Sequence, residues 1–97
     1  MIIFLKKFGT VLGSRQLGRE AFAAFKPSLG SVKDNEKVLV DFEGVTVLTS
    51  SWGDEFLSPL IDMFGNRLVL KNTNNLSVQS TLKLLEELHE VNFVIEK

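Results

Sequence analysis

The side chains in this sequence best able to do chemistry are hydroxyls, carboxylates and one imidazole. Thr49-Ser50-Ser51-Trp52-Gly53-Asp54-Glu55 gathers three hydroxyls and two carboxylates where an apolar run gives way to helical spacing. Hydroxyls at a helix start can cap free N–H groups, hold a phosphate against the helix dipole, or accept a phosphoryl group. Ser51 and Asp54 fit the Ser-x-x-acid capping box, and acids in the first turn complement the dipole. Capping accounts for Ser51, Asp54 and Glu55 but leaves Ser50 and Trp52 unexplained. Trp52, the single tryptophan, has two readings: a core aromatic under the neighbouring loop, or a partly exposed anchor for a partner.

Cysteine and tyrosine are absent and His89 is the single histidine. Disulfides, thiolate zinc sites, cysteine nucleophiles and multi-histidine cages are therefore excluded, and neither metal nor cofactor is expected. Ser50 or Ser51 with Asp54 and His89 has the composition of a Ser-His-Asp hydrolase. His89, however, ends a helix whose start at Ser77 is the part expected near the hydroxyls, a separation of roughly 18 Å at ~1.5 Å per residue. His89 is read as structural, and the chain as a non-enzyme. Gly9, Gly13 and Gly18 precede and enter a helix but match neither Gly-x-Gly-x-x-Gly nor a phosphate-binding loop with its lysine, so they are assigned to tight turns. Arg15 and Arg19, one helical turn apart, form either a solvated face or a pair of contacts for a partner's acids.

These residues need elements to position them. Ile2 to Phe8 reads as a strand, and Ser14 as the cap of a helix with Leu17, Ala21, Ala24 and Phe25 on its buried stripe, closed by Lys26-Pro27. Val38 to Phe42 is a nearly continuous apolar run, the pattern of a central strand. Phe56, Leu57, Leu60, Ile61 and Phe64 mark a helix following Ser51 as cap and stopping at Gly65-Asn66. Pro59 either kinks that helix or restarts it with Ser58 as cap, and the unbroken stripe favours one kinked helix. Arg67 to Lys71 is a further strand. Ser77 is the expected cap of a last helix with Val78, Leu82, Leu85 and Leu88 buried, and Asn92 to Glu96 forms a final strand or docked tail. Alternating strands and helices predict an α/β fold, a mixed, mostly parallel four-stranded sheet with about three helices. The loops leaving the carboxyl ends of the strands, Gly9 to Arg15, Gly44 to Asp54 and Asn72 to Ser77, then share one edge, where function usually lies.

Ninety-seven residues, 44% of them hydrophobic, with a net charge of −1, suit one folded domain over residues 1–97. Up to Lys37 there are seven basic and three acidic side chains, and from Val38 onward four and nine, so +4 and −5 sum to −1. No arginine-rich run points to nucleic acid, no apolar run is long enough for a bilayer, and the basic residues follow the first apolar run instead of preceding it, so a cytoplasmic protein without a signal peptide is expected.

Val40-Asp41-Phe42-Glu43-Gly44-Val45 followed by Leu48-Thr49-Ser50-Ser51-Trp52-Gly53-Asp54-Glu55 resembles the STAS-like family of unknown function. That bacterial branch is related to the sulfate-transporter and anti-sigma-factor-antagonist (STAS) domain, and Leu12-Gly13-Ser14-Arg15 with Gly18-Arg19 is similar to its first-helix start. In the anti-sigma-factor antagonists the corresponding turn reads Asp-Ser-Ser-Gly, and its first serine is phosphorylated by a partner that is both anti-sigma factor and histidine-kinase-type ATPase. The resemblance implies a regulatory, protein-binding domain in signal transduction with Ser50 as phospho-acceptor candidate. Thr49 and Trp52 stand where that group has its acid and glycine. The expected docking edge comprises Thr49, Ser50, Ser51, Trp52 and Asp54 with Asn72, Asn74, Asn75 and Arg15. A small-ligand or nucleotide sensor using the same edge is the alternative, and a homo-oligomer stays open.

Overall fold

A computed structural model describes residues 1–97. Six strands are β1 (Ile2–Phe4), β2 (Val11–Leu12), β3 (Val38–Asp41), β4 (Val47–Leu48), β5 (Leu68–Lys71) and β6 (Val94–Glu96). Three helices are α1 (Arg15–Phe25), α2 (Ser50–Phe64) and α3 (Leu76–His89), and short 3-10 turns occupy Leu5–Phe8, Lys26–Ser31 and Gly65–Arg67. The main sheet has the order β1-β3-β5-β6 and is parallel throughout, while β2 and β4 form a separate two-stranded parallel ribbon. The expected α/β architecture is thus present, with every pairing parallel. No helix is long and apolar enough to cross a membrane.

Each crossover moves one position in the same direction, and the usual right-handed connection then puts all three helices on one face of the sheet. The burial alternation agrees. Ile3, Val38, Val40, Leu68 and Leu70 point into the helical layer and are buried, joined there by Trp52, Phe56, Leu57, Leu60, Val78 and Leu85. At roughly 1.5–3 kcal/mol for each large apolar side chain removed from water, this layer dominates the stability of the fold.

The first strand is shorter than the apolar run suggests. A continued strand would place Phe8 with Ile2 and Phe4 on the opposite face. The 3-10 turn instead brings its ring to the helices, with centroids 5.0 Å from Phe56 and 6.0 Å from Trp52. Pro59 lies inside α2, which runs without a restart from Ser50 to Phe64, the continuous alternative.

The stripe of α1 is shifted from the expected one. Leu17 and Ala24 are exposed, and Gly18, Ala21, Phe22 and Phe25 face the core. Gly18 decides this: a Cβ at that position would lie 2.7 Å from the Trp52 carbonyl oxygen and 3.0 Å from its Cα, so only glycine lets α1 lie this close to α2. Leu88 of α3 is likewise exposed, and Thr81 is buried in its stead, donating to the Leu48 carbonyl at 2.6 Å.

Candidate functional site

The hydroxyl-rich turn lies where β4 hands over to α2, beside the turn from β2 into α1 and the loop from β5 into α3. Hydrogen bonds tie the three connections together. Thr49 Oγ1 donates to the Gly13 carbonyl at 2.8 Å and accepts from the Trp52 N–H at 3.3 Å. Ser77 Oγ accepts from the Leu48 N–H at 3.1 Å, and Asn75 Nδ2 donates to the Val45 and Thr46 carbonyls at 2.8 and 3.0 Å.

The caps differ from those expected. Thr49, not Ser51, caps α2, and Asn75, not Ser77, caps α3, its Oδ1 accepting from the Val78 N–H at 3.1 Å. In both cases the residue that wins also fastens a neighbouring loop, so one side chain serves two orphan groups. Ser14 caps α1 as expected, accepting from the Leu17 N–H at 3.0 Å. Thr49→Ala is expected to lower stability by about 1–2 kcal/mol. Ser51→Ala should be nearly silent, and urea unfolding of the two variants checks the difference.

The proposed docking residues now sort by what their side chains are already doing. Thr49 and Asn75 are committed to caps and loop ties. Trp52 is 1% exposed and stacked on Phe56 at 5.0 Å, so it belongs to the core and is no surface anchor. Ser50 and Ser51, half-buried in the first turn of α2, form no side-chain hydrogen bond within the chain, and neither do the exposed Asn72 and Asn74. Arg15 and Asp54 meet each other, Nη1 to Oδ2 at 3.0 Å, and Arg19 meets Glu55 at 3.1 Å. The arginines of α1 thus neutralise the acids of α2 across the contact that Gly18 permits.

Asp54 has two more partners that sequence reasoning missed. Its Oδ1 lies 2.6 Å from Ser58 Oγ and 3.0 Å from His89 Nε2, and Ser58 Oγ is 2.7 Å from the same His89 nitrogen. The expected separation of His89 from Asp54 is therefore overturned. α2 and α3 descend side by side, with Thr81 at Leu48, Leu85 beside Gly53, and His89 at Ser58, so the end of α3 reaches the second and third turns of α2. The i,i+4 spacing of Asp54 and Ser58 was a visible signal. Nothing local marked His89 as their partner.

Serine, histidine and aspartate meet, but not as a catalytic triad. Asp54, ionised, only accepts, so Ser58 donates its one proton to Oδ1 and can only accept from His89. Nε2 consequently carries a hydrogen. A triad needs the carboxylate on Nδ1 and the serine on a bare Nε2. Here both share Nε2, which already carries a hydrogen, so no imidazole lone pair faces the serine proton.

The Ser58 hydroxyl, together with Arg15 and His89, holds the Asp54 carboxyl below its ordinary value of 3.8 against the opposing effect of burial. A depressed native pKa contributes stability that is present in full above the unfolded value and is lost as pH falls through the native one. Wild type and Asp54→Asn should therefore differ in urea midpoint at pH 7. That difference should shrink below about pH 4 and level off, its pH dependence gone, once Asp54 is protonated in the native state.

The surface concavities lie away from the hydroxyl-rich turn. The one nearest the shared edge, about 240 Å³, runs between α3 and β6 and reaches the edge only at Asn72 and Thr73. The sequence model of a family described as a STAS-like domain of unknown function (DUF4325) matches residues 25–78, more than half of the chain. The chain belongs to this family. Searches of curated proteins and of solved structures find no significant match. The match takes in the β3-to-α2 segment and the Asn72–Asn75 loop of this STAS-like domain, with Asp54 and Ser58. Their partners Arg15 and His89 lie outside it.

Proposed function

We propose that this STAS-like domain is a regulatory protein-binding module, working by recognition and not by catalysis, whose docking edge surrounds the first turn of α2 and is switched by phosphorylation of Ser50. The observation that carries the reading is the division of labour among the three hydroxyls. Thr49 is consumed as cap and loop tie, which leaves Ser50 half-exposed with its hydroxyl unengaged at the positive end of a 15-residue helix. The salt bridges from Arg15 and Arg19 support the same reading, because Asp54 and Glu55 no longer present two uncompensated charges to an incoming phosphate. A phosphoryl group would add roughly −1.5 to −2 charges and meet unpaired N–H groups of the helix start. That would change the docking edge without altering the core beneath it.

By resemblance to anti-sigma-factor antagonists, the partner is an anti-sigma factor that is also a histidine-kinase-type ATPase. The test is affinity capture with wild type, Ser50→Ala and Ser50→Asp, followed by mass spectrometry of residue 50 after incubation of the captured partner with ATP. Wild type and Ser50→Ala should retain the partner, Ser50→Asp should lose it, and phosphate should appear on wild type alone. Equal capture by all three, with no phosphate at residue 50, sinks the switch.

A further inference from the structure

The helices cover one face of the sheet, and the other face is bare. On the covered side Ile3 and Val38 are 1% and 0% exposed; on the side without helices Ile2, Phe4 and Val94 of the outer strands are 52%, 45% and 43% exposed, while the central Leu39 is half-buried and Val69 is buried among its strand neighbours. The strand register organises the bare face into two rows. Ile2, Leu39, Val69 and Val94 lie level across β1, β3, β5 and β6, an unbroken apolar row. Two residues further along, Phe4 is level with Asp41 and Lys71 with Glu96, and the β3–β5 register, paired as far as Val40 and Leu70, sets Asp41 level with Lys71 when continued by one residue. The two central members of this second row are thus an acid on β3 and a base on β5, one strand apart.

From this arrangement we infer that the bare face is a homodimer interface, packed sheet on sheet about a two-fold axis parallel to the strands and midway between β3 and β5. Such an axis lays β3 of one copy over β5 of the other and β1 over β6, without changing level along the strands. Ile2 then meets Val94 of the second copy, and the half-buried Leu39 lies over the shallow, buried Val69. Asp41 meets Lys71 of the second copy, and by symmetry this contact forms twice. An acid and a base placed symmetrically about the middle of the sheet make the face complementary to itself, which is what selects a second copy over another occupant. Aligned sheets pack about 10 Å apart with strands within about 30° of each other, a gap that the long Lys71 side chain spans. Asp41 is equipped for it, since one oxygen accepts from the Glu43 N–H at 2.9 Å and the other stays free.

The size of the face sets the strength. Four strands at ~4.8 Å spacing make a strip under about 20 Å wide, so two copies bury an area near the low end for specific pairs, roughly 1,000 Å² in total. Dimerisation should be concentration-dependent. The α2 edge belongs to the helical layer and stays open in such a dimer, so this inference and the proposed function stand or fall separately.

Sedimentation equilibrium of the full chain from micromolar to millimolar concentration, with circular dichroism to confirm folding, provides the test. Wild type should pass from monomer to dimer. Asp41→Lys or Lys71→Asp, each placing like charges opposite one another twice, should weaken the dimer by about tenfold or more. An equimolar mixture of these two variants should recover it, because every charged contact in the mixed pair is again acid to base. Asp41 also fastens the Glu43 N–H, so Val94→Lys on the exposed edge strand supplies a second disruption with no such local role. A chain that stays monomeric throughout, a dimer indifferent to these substitutions, or a mixture that fails to recover overturns the inference. Capture of a different protein by the bare face, with wild type monomeric, overturns it too.

Discussion

Trp52→Ala is expected to lower stability by about 3–5 kcal/mol. The indole is buried, stacked on Phe56 with an interplanar angle of 17°, and within 6.0 Å of the Phe8 ring. Phe56 in turn meets Phe22 and Phe25 of α1, so the two α2 aromatics form the centre of a cluster joining α1, α2 and the turn after β1. Truncation at residue 52 would leave a void that rings fixed on three sides cannot collapse to fill. Ser50→Ala and Ser51→Ala, two residues and one residue away, should change stability by less than about 0.5 kcal/mol. The contrast separates a hydroxyl-bearing surface from the aromatic platform beneath it within a single turn. Denaturant unfolding followed by circular dichroism measures all three variants, since the first removes the only tryptophan. In wild type the fluorescence of Trp52 should be poorly quenched by acrylamide. A loss below about 1 kcal/mol on truncation would mean that the ring is not in the core.

The parts of the fold governed by short-range pattern were legible from sequence, and the parts governed by approach between elements were not. Helical spacing located α2 and its buried residues, the Val38–Phe42 run announced a central strand, and parallel alternation placed the three candidate loops on one edge. The two misplaced caps were each off by two residues because propensity ranks Ser, Thr and Asn close together. What separates them is a tertiary bond, Thr49 to Gly13 or Asn75 to Val45, that no local window contains. The buried face of α1 was misread for a related reason. Leu17 is the more hydrophobic residue, but burial followed Gly18, whose value lies in what it lacks. At the candidate site, the Thr49–Glu55 segment was visible as a motif, while the Asp54–Ser58–His89 meeting depends on two helices running in step over three turns. The spacing of Asp54 and Ser58 showed their half of it; the arrival of His89 is a product of packing alone.

Gly18 is where that packing is most exposed to test. A helix interior ordinarily gains about 1 kcal/mol when glycine becomes alanine, so propensity alone makes Gly18→Ala stabilising. The structure demands the reverse sign. The new methyl would fall 2.7 Å from the Trp52 carbonyl oxygen and 3.2 Å from Glu55 Cβ, and the nearest obstacle is backbone that cannot rotate aside. Overpacking of this kind costs about 1–3 kcal/mol, occasionally more, and contact with fixed backbone puts Gly18→Ala in the upper part of that range, so it should be destabilising by up to about 2 kcal/mol after the propensity gain, and Gly18→Leu by about 3 kcal/mol or more. Gly30→Ala, where a Cβ meets nothing within 4 Å, should stay near neutral. The Gly18 effect also reaches the surface. If α1 is pushed off α2, Arg15 and Arg19 leave Asp54 and Glu55, and the acid-sensitive stability contributed by Asp54 shrinks together with the unfolding midpoint. A Gly18→Ala protein that is more stable than wild type, with the pH dependence of Asp54 intact, would show that α1 does not rest on α2 through this glycine. In that case the neutralised acids beside Ser50, on which the proposed phosphorylation switch partly relies, would lose their structural basis as well.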